Sequence, residues 1–128
     1  MPVRPIFLAS AFPALAVPVY GQTTAAAGAA TPSLVARGDS VFHGPGNCYA
    51  CHGSKGEGLV GPSLVDAEWI HSKGTAEEIA ALVTKGIPKE QSKSGIPMPP
   101  KGGSTISDDD VKAVAAYVSS LSQKKAGT

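Results

Sequence analysis

The chain has 128 residues, 42% of them hydrophobic and 16% charged, the proportions of one folded domain and not of a disordered chain. Eleven Lys and Arg stand against ten Asp and Glu, so no basic excess points to nucleic acid. Two cysteines and three histidines exclude a disulfide-dense scaffold and a four-cysteine zinc site, and aromatics at 5% leave the core short of large side chains.

Residues 1–21 read as a secretory signal peptide: Arg4, an apolar run from Ile6 to Tyr20, then a cut ahead of Gln22. The run spans about 15 residues and contains Pro13 and Pro18, whereas a membrane-crossing helix needs roughly 20 apolar residues. A cleaved leader is therefore expected in preference to an uncleaved anchor, and with it a periplasmic product. Residues 22–30, rich in Ala, Gly and Thr, read as a tether, which leaves residues 31–128 to fold. Loss of the leader takes away only Arg4 and leaves ten charges of each sign.

Three helices are expected. The first covers 32–43, with Thr31 as N-cap, Pro32 at the first helical position, and Leu34, Val35, Gly38, Val41 and Phe42 on one stripe. Gly44 and Pro45 stop it. The second covers 76–85, opened by a Thr75/Glu78 capping box and ended by Gly86. The third covers 108–122: Ser107 caps it, three aspartates meet the positive end of its dipole, and Val111, Val114, Ala115, Val118 and Leu121 line one side. No stretch between them alternates long enough to make a strand. The two long loops, 54–74 and 87–106, have no periodic pattern, and such loops are uncommon unless they wrap something.

The chemistry lies at Cys48-Tyr49-Ala50-Cys51-His52, the C-x-x-C-H signature of covalent c-type haem attachment. On a helical turn, positions i, i+3 and i+4 share a face, so two thiols can bond the haem vinyl groups while the next histidine reaches the iron. A bare C-x-x-C would also fit a redox dithiol or half a zinc site, the latter completed by His43 or His71.

Residues 33–121 resemble a class I cytochrome c of the short, single-haem bacterial kind. That resemblance implies an all-α fold, with three main helices and long loops wrapped around one covalently bound haem c. Gly61-Pro62-Ser63-Leu64 resembles the loop whose proline carbonyl accepts a hydrogen bond from the ligand histidine, so Pro62 is expected to orient His52 and Leu64 to pack on the haem. Gly38 and Phe42 match the glycine and aromatic of the family's first helix, and Val114 and Tyr117 the positions of the last helix that it crosses. Apart from Met1 the chain has one methionine, Met98, in Ile96-Pro97-Met98-Pro99-Pro100. It matches the family's axial methionine, with His43 and His71 as rival ligands. Trp69 is either a haem-propionate donor or ordinary packing.

An iron held by His52 and Met98 has no open position, which suits electron transfer better than substrate chemistry. The expected function is a periplasmic carrier of single electrons between larger redox proteins, such as a membrane respiratory or photosynthetic complex. It would be a monomer or a subunit, not itself an enzyme, with no small-molecule substrate and no nucleic-acid partner. Rival readings are a haem sensor or peroxidase-like enzyme with a labile sixth ligand, and a haem-free dithiol oxidoreductase or metal module. Lys85, Lys89, Lys93 and Lys101 make a lysine-rich stretch around Met98, expected to steer an acidic partner, with Asp108–Asp110 as an acidic pole.

Overall fold

In the computed structural model, which describes residues 30–126, the chain turns at once into α1, Pro32–His43. The leader and tether expected over 1–21 and 22–30 lie outside the described residues, Ala30 excepted. Thr31 caps α1 by accepting from the Leu34 N–H at 3.2 Å. Past the Gly44 stop comes a four-residue turn, α2, Tyr49–His52, which carries the C-x-x-C-H motif. Helix α3 is Ala76–Lys85; a 3₁₀ turn follows at Pro100–Gly103, and α4 runs Asp108–Ala126. Among the described residues the fold is all-α, with no strand and one isolated antiparallel bridge, Ile87 with Met98. No helix of the described residues is long and apolar enough to cross a membrane.

The other two expected caps also form, each with a difference in detail. Thr75 accepts from Glu78 N–H at 3.3 Å, but the Glu78 carboxylate reaches past Thr75 to the Lys73 N–H. Ser107 and Asp110 cap α4 reciprocally: Asp110 N–H donates to Ser107 Oγ at 3.1 Å, and that hydroxyl donates to Asp110 Oδ2 at 2.8 Å. Helix α4 extends four residues beyond the expected end at 122. Gln123, Lys124, Lys125 and Ala126 are good helix formers, and the next glycine is Gly127.

Helices α1 and α4 cross at Gly38. A Cβ there would overlap the Ala113 carbonyl and come within 2.7 Å of Tyr117 Cβ, so only glycine permits this approach. Ala113, not Val114, takes the close contact; Val114 turns to the interior at 1% exposure. Phe42 and Tyr117 flank the crossing with ring centroids 5.4 Å apart. The buried cluster joins Val41 and Phe42 of α1, Ile79 and Val83 of α3, Ile106, and Val111, Val114, Ala115 and Val118 of α4. Burying each such side chain contributes about 1.5–3 kcal/mol for the larger ones. Yet Phe42 and Val114 are the largest that are fully buried, so the three helices leave a space between themselves and the loops.

Candidate functional site

That space is a cleft made of two adjoining pockets, with cavity volumes of about 100 and 410 Å³. The inner one runs under Phe42, Leu64, Trp69, Ile79, Leu82, Val83, Val114 and Val118. The outer one opens among Cys51, Leu59, Val60, Ile96, Pro97 and Pro99. Cys48, His52, Pro62, Ile70, His71, Ile87 and Met98 line both. Three of the residues singled out for chemistry, Cys48, His52 and Met98, thus stand where the two pockets meet. Cys51 opens onto the outer pocket alone.

Short backbone bonds around α2 fix His52. Its N–H bonds the Cys48 carbonyl at 3.0 Å, and its own carbonyl accepts from Gly58 N–H at 2.7 Å. Gly61 N–H donates to the Cys51 carbonyl at 2.9 Å, which draws the 61–64 loop against the motif. There His52 Nδ1 meets the Pro62 carbonyl at 2.9 Å. A carbonyl only accepts, so Nδ1 carries the proton and Nε2 keeps its lone pair for a metal. Burial pulls the His52 pKa below its ordinary value, against the smaller opposing effect of the Pro62 carbonyl, so the ring is neutral and ligand-competent.

Cys48 and Cys51 are not joined in a disulfide. Burial, with Cys51 nearby, pushes the Cys48 thiol up to about 11, the reverse of the lowered value that a redox dithiol uses to attack. Met98 is half-buried against the core, its backbone clasped to Ile87 by bonds of 2.8 and 2.9 Å. Leu64 also packs on the core, and its N–H bonds the Gly56 carbonyl at 2.7 Å.

The rival ligands fall differently. His43 lines neither pocket: its Nδ1 faces Asp39 Oδ1 at 2.9 Å and the Asp39 carbonyl at 3.0 Å, and its Nε2 faces the Ser54 carbonyl at 2.6 Å. His71 lines the cleft but is exposed on its loop. Trp69 lines the inner pocket, packs on the core and sits beside Gly74, where a Cβ would collide with its indole nitrogen. Among the described residues no three His, Cys, Asp or Glu side chains gather to hold a metal ion.

The charged features are rearranged from the sequence expectation. Lys101 bonds Asp108 at 2.8 Å, Lys112 lies 3.5 Å from Asp109, and Arg37 bonds Asp110 at 2.8 Å. The acidic pole is therefore matched carboxylate by carboxylate, and Lys101 leaves the lysine patch. Lys85, Lys89 and Lys93 stay exposed. The pairing of Arg37 with Asp110, 73 residues apart in the chain, is invisible to local sequence reading.

Residues 33–118 match the family described as "Cytochrome C oxidase, cbb3-type, subunit III". The chain belongs to this cytochrome c family. It is 37% identical over 92 residues to a cbb3-type cytochrome c oxidase subunit CcoP of Rubrivivax gelatinosus, which covers 71% of this chain and 27% of that one. A FixP subunit of Azorhizobium caulinodans is 39% identical over 82 residues, 59% of this chain and 26% of the relative. A CcoP subunit of Azospirillum brasilense is 34% identical over 96 residues, 70% and 32%. The chain spans about a quarter to a third of the length of these relatives. No solved structure matches it.

A cytochrome c domain implies covalently bound haem c, and the cleft fits that group. Its inner walls are apolar, with Phe42 and Trp69 among aliphatic side chains. Two thiols stand at the cleft, and a neutral imidazole and a thioether line it. Only one carboxylate, Glu68, borders the inner pocket.

Proposed function

We propose that this cytochrome c domain carries one electron at a time on a single class I-type haem c, as a periplasmic protein exported by the leader at 1–21. Cys48 and Cys51 would form its thioether bonds, and His52 and Met98 would hold its iron. One observation supports this reading above the others: Cys48, His52 and Met98 converge on a single apolar cleft, with the His52 ring oriented by Pro62. When bound, the haem supplies a one-electron iron couple whose potential a thioether ligand raises.

The chain's own residues supply the rest. Pro62 holds His52 with Nε2 free and strengthens it as a donor. Met98, clasped to Ile87, would supply the second iron ligand. Leu64, Phe42 and Val114 keep water from the cleft, while Leu59, Val60 and Ile96 frame its open side at 68%, 48% and 49% exposure. Lys93 is the one charged residue on that outer wall. This framing supports contact with a larger redox protein through an apolar face edged by Lys93. The names of the relatives support a respiratory oxidase of the cbb3 type as that partner, with this chain a subunit or a free carrier.

Carbon monoxide tests the reading. The reduced holoprotein should form no CO complex at neutral pH and should exchange electrons with an acidic redox protein at rates that fall as salt rises. Ready CO binding would instead support the sensor reading with a labile sixth ligand.

A further inference from the structure

The chain just after Met98 follows an unusual backbone. Lys101, Gly102 and Gly103 have φ of 54°, 64° and 79° in succession. Glycine enters this left-handed region freely, but the Cβ of lysine opposes it, and runs of left-handed residues are rarer still. A non-glycine residue held there is over-determined by its surroundings.

Around Lys101 those surroundings are specific. Its Nζ donates to the Ile106 carbonyl at 3.0 Å and to Asp108 Oδ1 at 2.8 Å. Its own carbonyl accepts from Ser104 Oγ at 2.6 Å and Ser104 N–H at 3.1 Å. The side chain is 27% exposed, unlike the freely exposed Lys85, Lys89 and Lys93. The Lys101 ammonium in turn holds the Asp108 carboxyl below the usual carboxylate range.

The Met98 loop is thus tied at two places. On one side Met98 itself is clasped to Ile87, and Gly86 lies so near that a Cβ would meet the Met98 carbonyl at 2.5 Å and the Pro100 nitrogen at 2.8 Å. On the other side Lys101 ties the turn to the start of α4. Pro99 and Pro100 lie between and have no N–H with which to make a further tie.

We propose that Lys101 is a latch: its bonds to Asp108 and Ile106 hold the Met98 loop closed over the cleft and set how readily Met98 leaves the iron. The inference rests on Met98 as axial ligand and deepens that reading. Lys101 touches neither the iron nor a substrate; it is a positioning residue that acts through Met98. Without the latch, the left-handed turn is free to relax toward ordinary backbone, and the relaxation passes through Pro100 and Pro99 to Met98. The pair is partly open to solvent, so the expected effect is modest, roughly three- to fivefold in rate.

Imidazole binding to the oxidised holoprotein reads this directly, because at saturating imidazole the rate is that of Met98 departure. The variants are Lys101→Met, Asp108→Asn, the two together, and Asp109→Asn. The last removes a charge from the same first turn of α4 but faces Lys112. Each of the first two should raise the limiting rate about three- to fivefold, with the double variant no faster than Lys101→Met alone. Asp109→Asn should bind as wild type does. If Lys101→Met does not fold, the surface change Asp108→Asn carries the same expectation. Wild-type rates in Asp108→Asn, or an equal rise in Asp109→Asn, would overturn the latch while leaving the ligand assignment intact. A wild-type protein without the sulfur–iron absorption band would overturn the ligand assignment and the latch with it.

Discussion

Gly61 lies so close to His52 that a Cβ on it would stand 3.0 Å from both Nδ1 and Cε1 of the imidazole. The missing side chain is what lets the Pro62 carbonyl reach the ring. Gly61→Ala should therefore push the ring aside and stretch the Nδ1–H bond, at a cost of about 1 kcal/mol in stability. A weaker bond makes His52 a poorer donor, so the reduction potential should rise. Potentiometry together with denaturant unfolding of the holoprotein checks both effects; an unchanged potential would remove Gly61 from the placement of His52.

Met98→Ala should abolish the sulfur–iron band, lower the potential and admit small ligands such as cyanide. Met98→His should restore six-coordination at a lower potential than wild type, because imidazole favours the oxidised iron more than thioether does. Optical spectra and potentiometry of both variants are the check. An unaltered spectrum in Met98→Ala would give the position to His71, which borders the same cleft.

His43 joins the end of α1 to the loop that follows the haem motif, and both of its nitrogens face oxygen acceptors. Donation to both requires the imidazolium. The Ser54 carbonyl first, then Asp39, raise its pKa above the ordinary 6.5. The contribution is therefore complete below about 6.5 and is lost as pH rises through the higher folded value. Asp39, Tyr49 and Tyr117 are the titratable neighbours. Wild-type Tm should fall relative to that of His43→Gln as pH increases from about 6 to 8. Parallel curves would show that the clamp contributes nothing.

Gly38→Ala drives a methyl group into the Ala113 carbonyl and Tyr117 Cβ at the α1–α4 crossing. Backbone on the far side cannot give way, so the helices must separate, and a loss of about 3 kcal/mol or more is expected. Ala36→Gly, on the exposed part of the same helix, should cost about 1 kcal/mol through propensity alone. Chemical denaturation separates the two; equal losses would mean the crossing has room to spare.

Local sequence signals foretold the helices because their causes are local: Thr31, Thr75 and Ser107 accept from backbone within three residues, and Gly86 closes α3. The approach of Pro62 to His52 was legible for a different reason, since Gly61-Pro62-Ser63-Leu64 matched a family loop. What was not legible depended on how the irregular loops are placed, where no helical or strand period sets which residues meet. Nothing near Lys101 in sequence marks it as the partner of Asp108, and the bridge between Ile87 and Met98 spans a loop without periodicity. The lysine stretch read as a steering patch for the same reason: counting charges along the chain does not show which of them are already paired.

The most direct test of the central claim joins mass and light on one purified sample. Under denaturing conditions the protein should retain the mass of one haem with no titratable thiol at Cys48 or Cys51. In the native state it should show Soret and α bands on reduction and the weak red sulfur–iron band when oxidised. Two free thiols and a colourless protein would contradict the account outright.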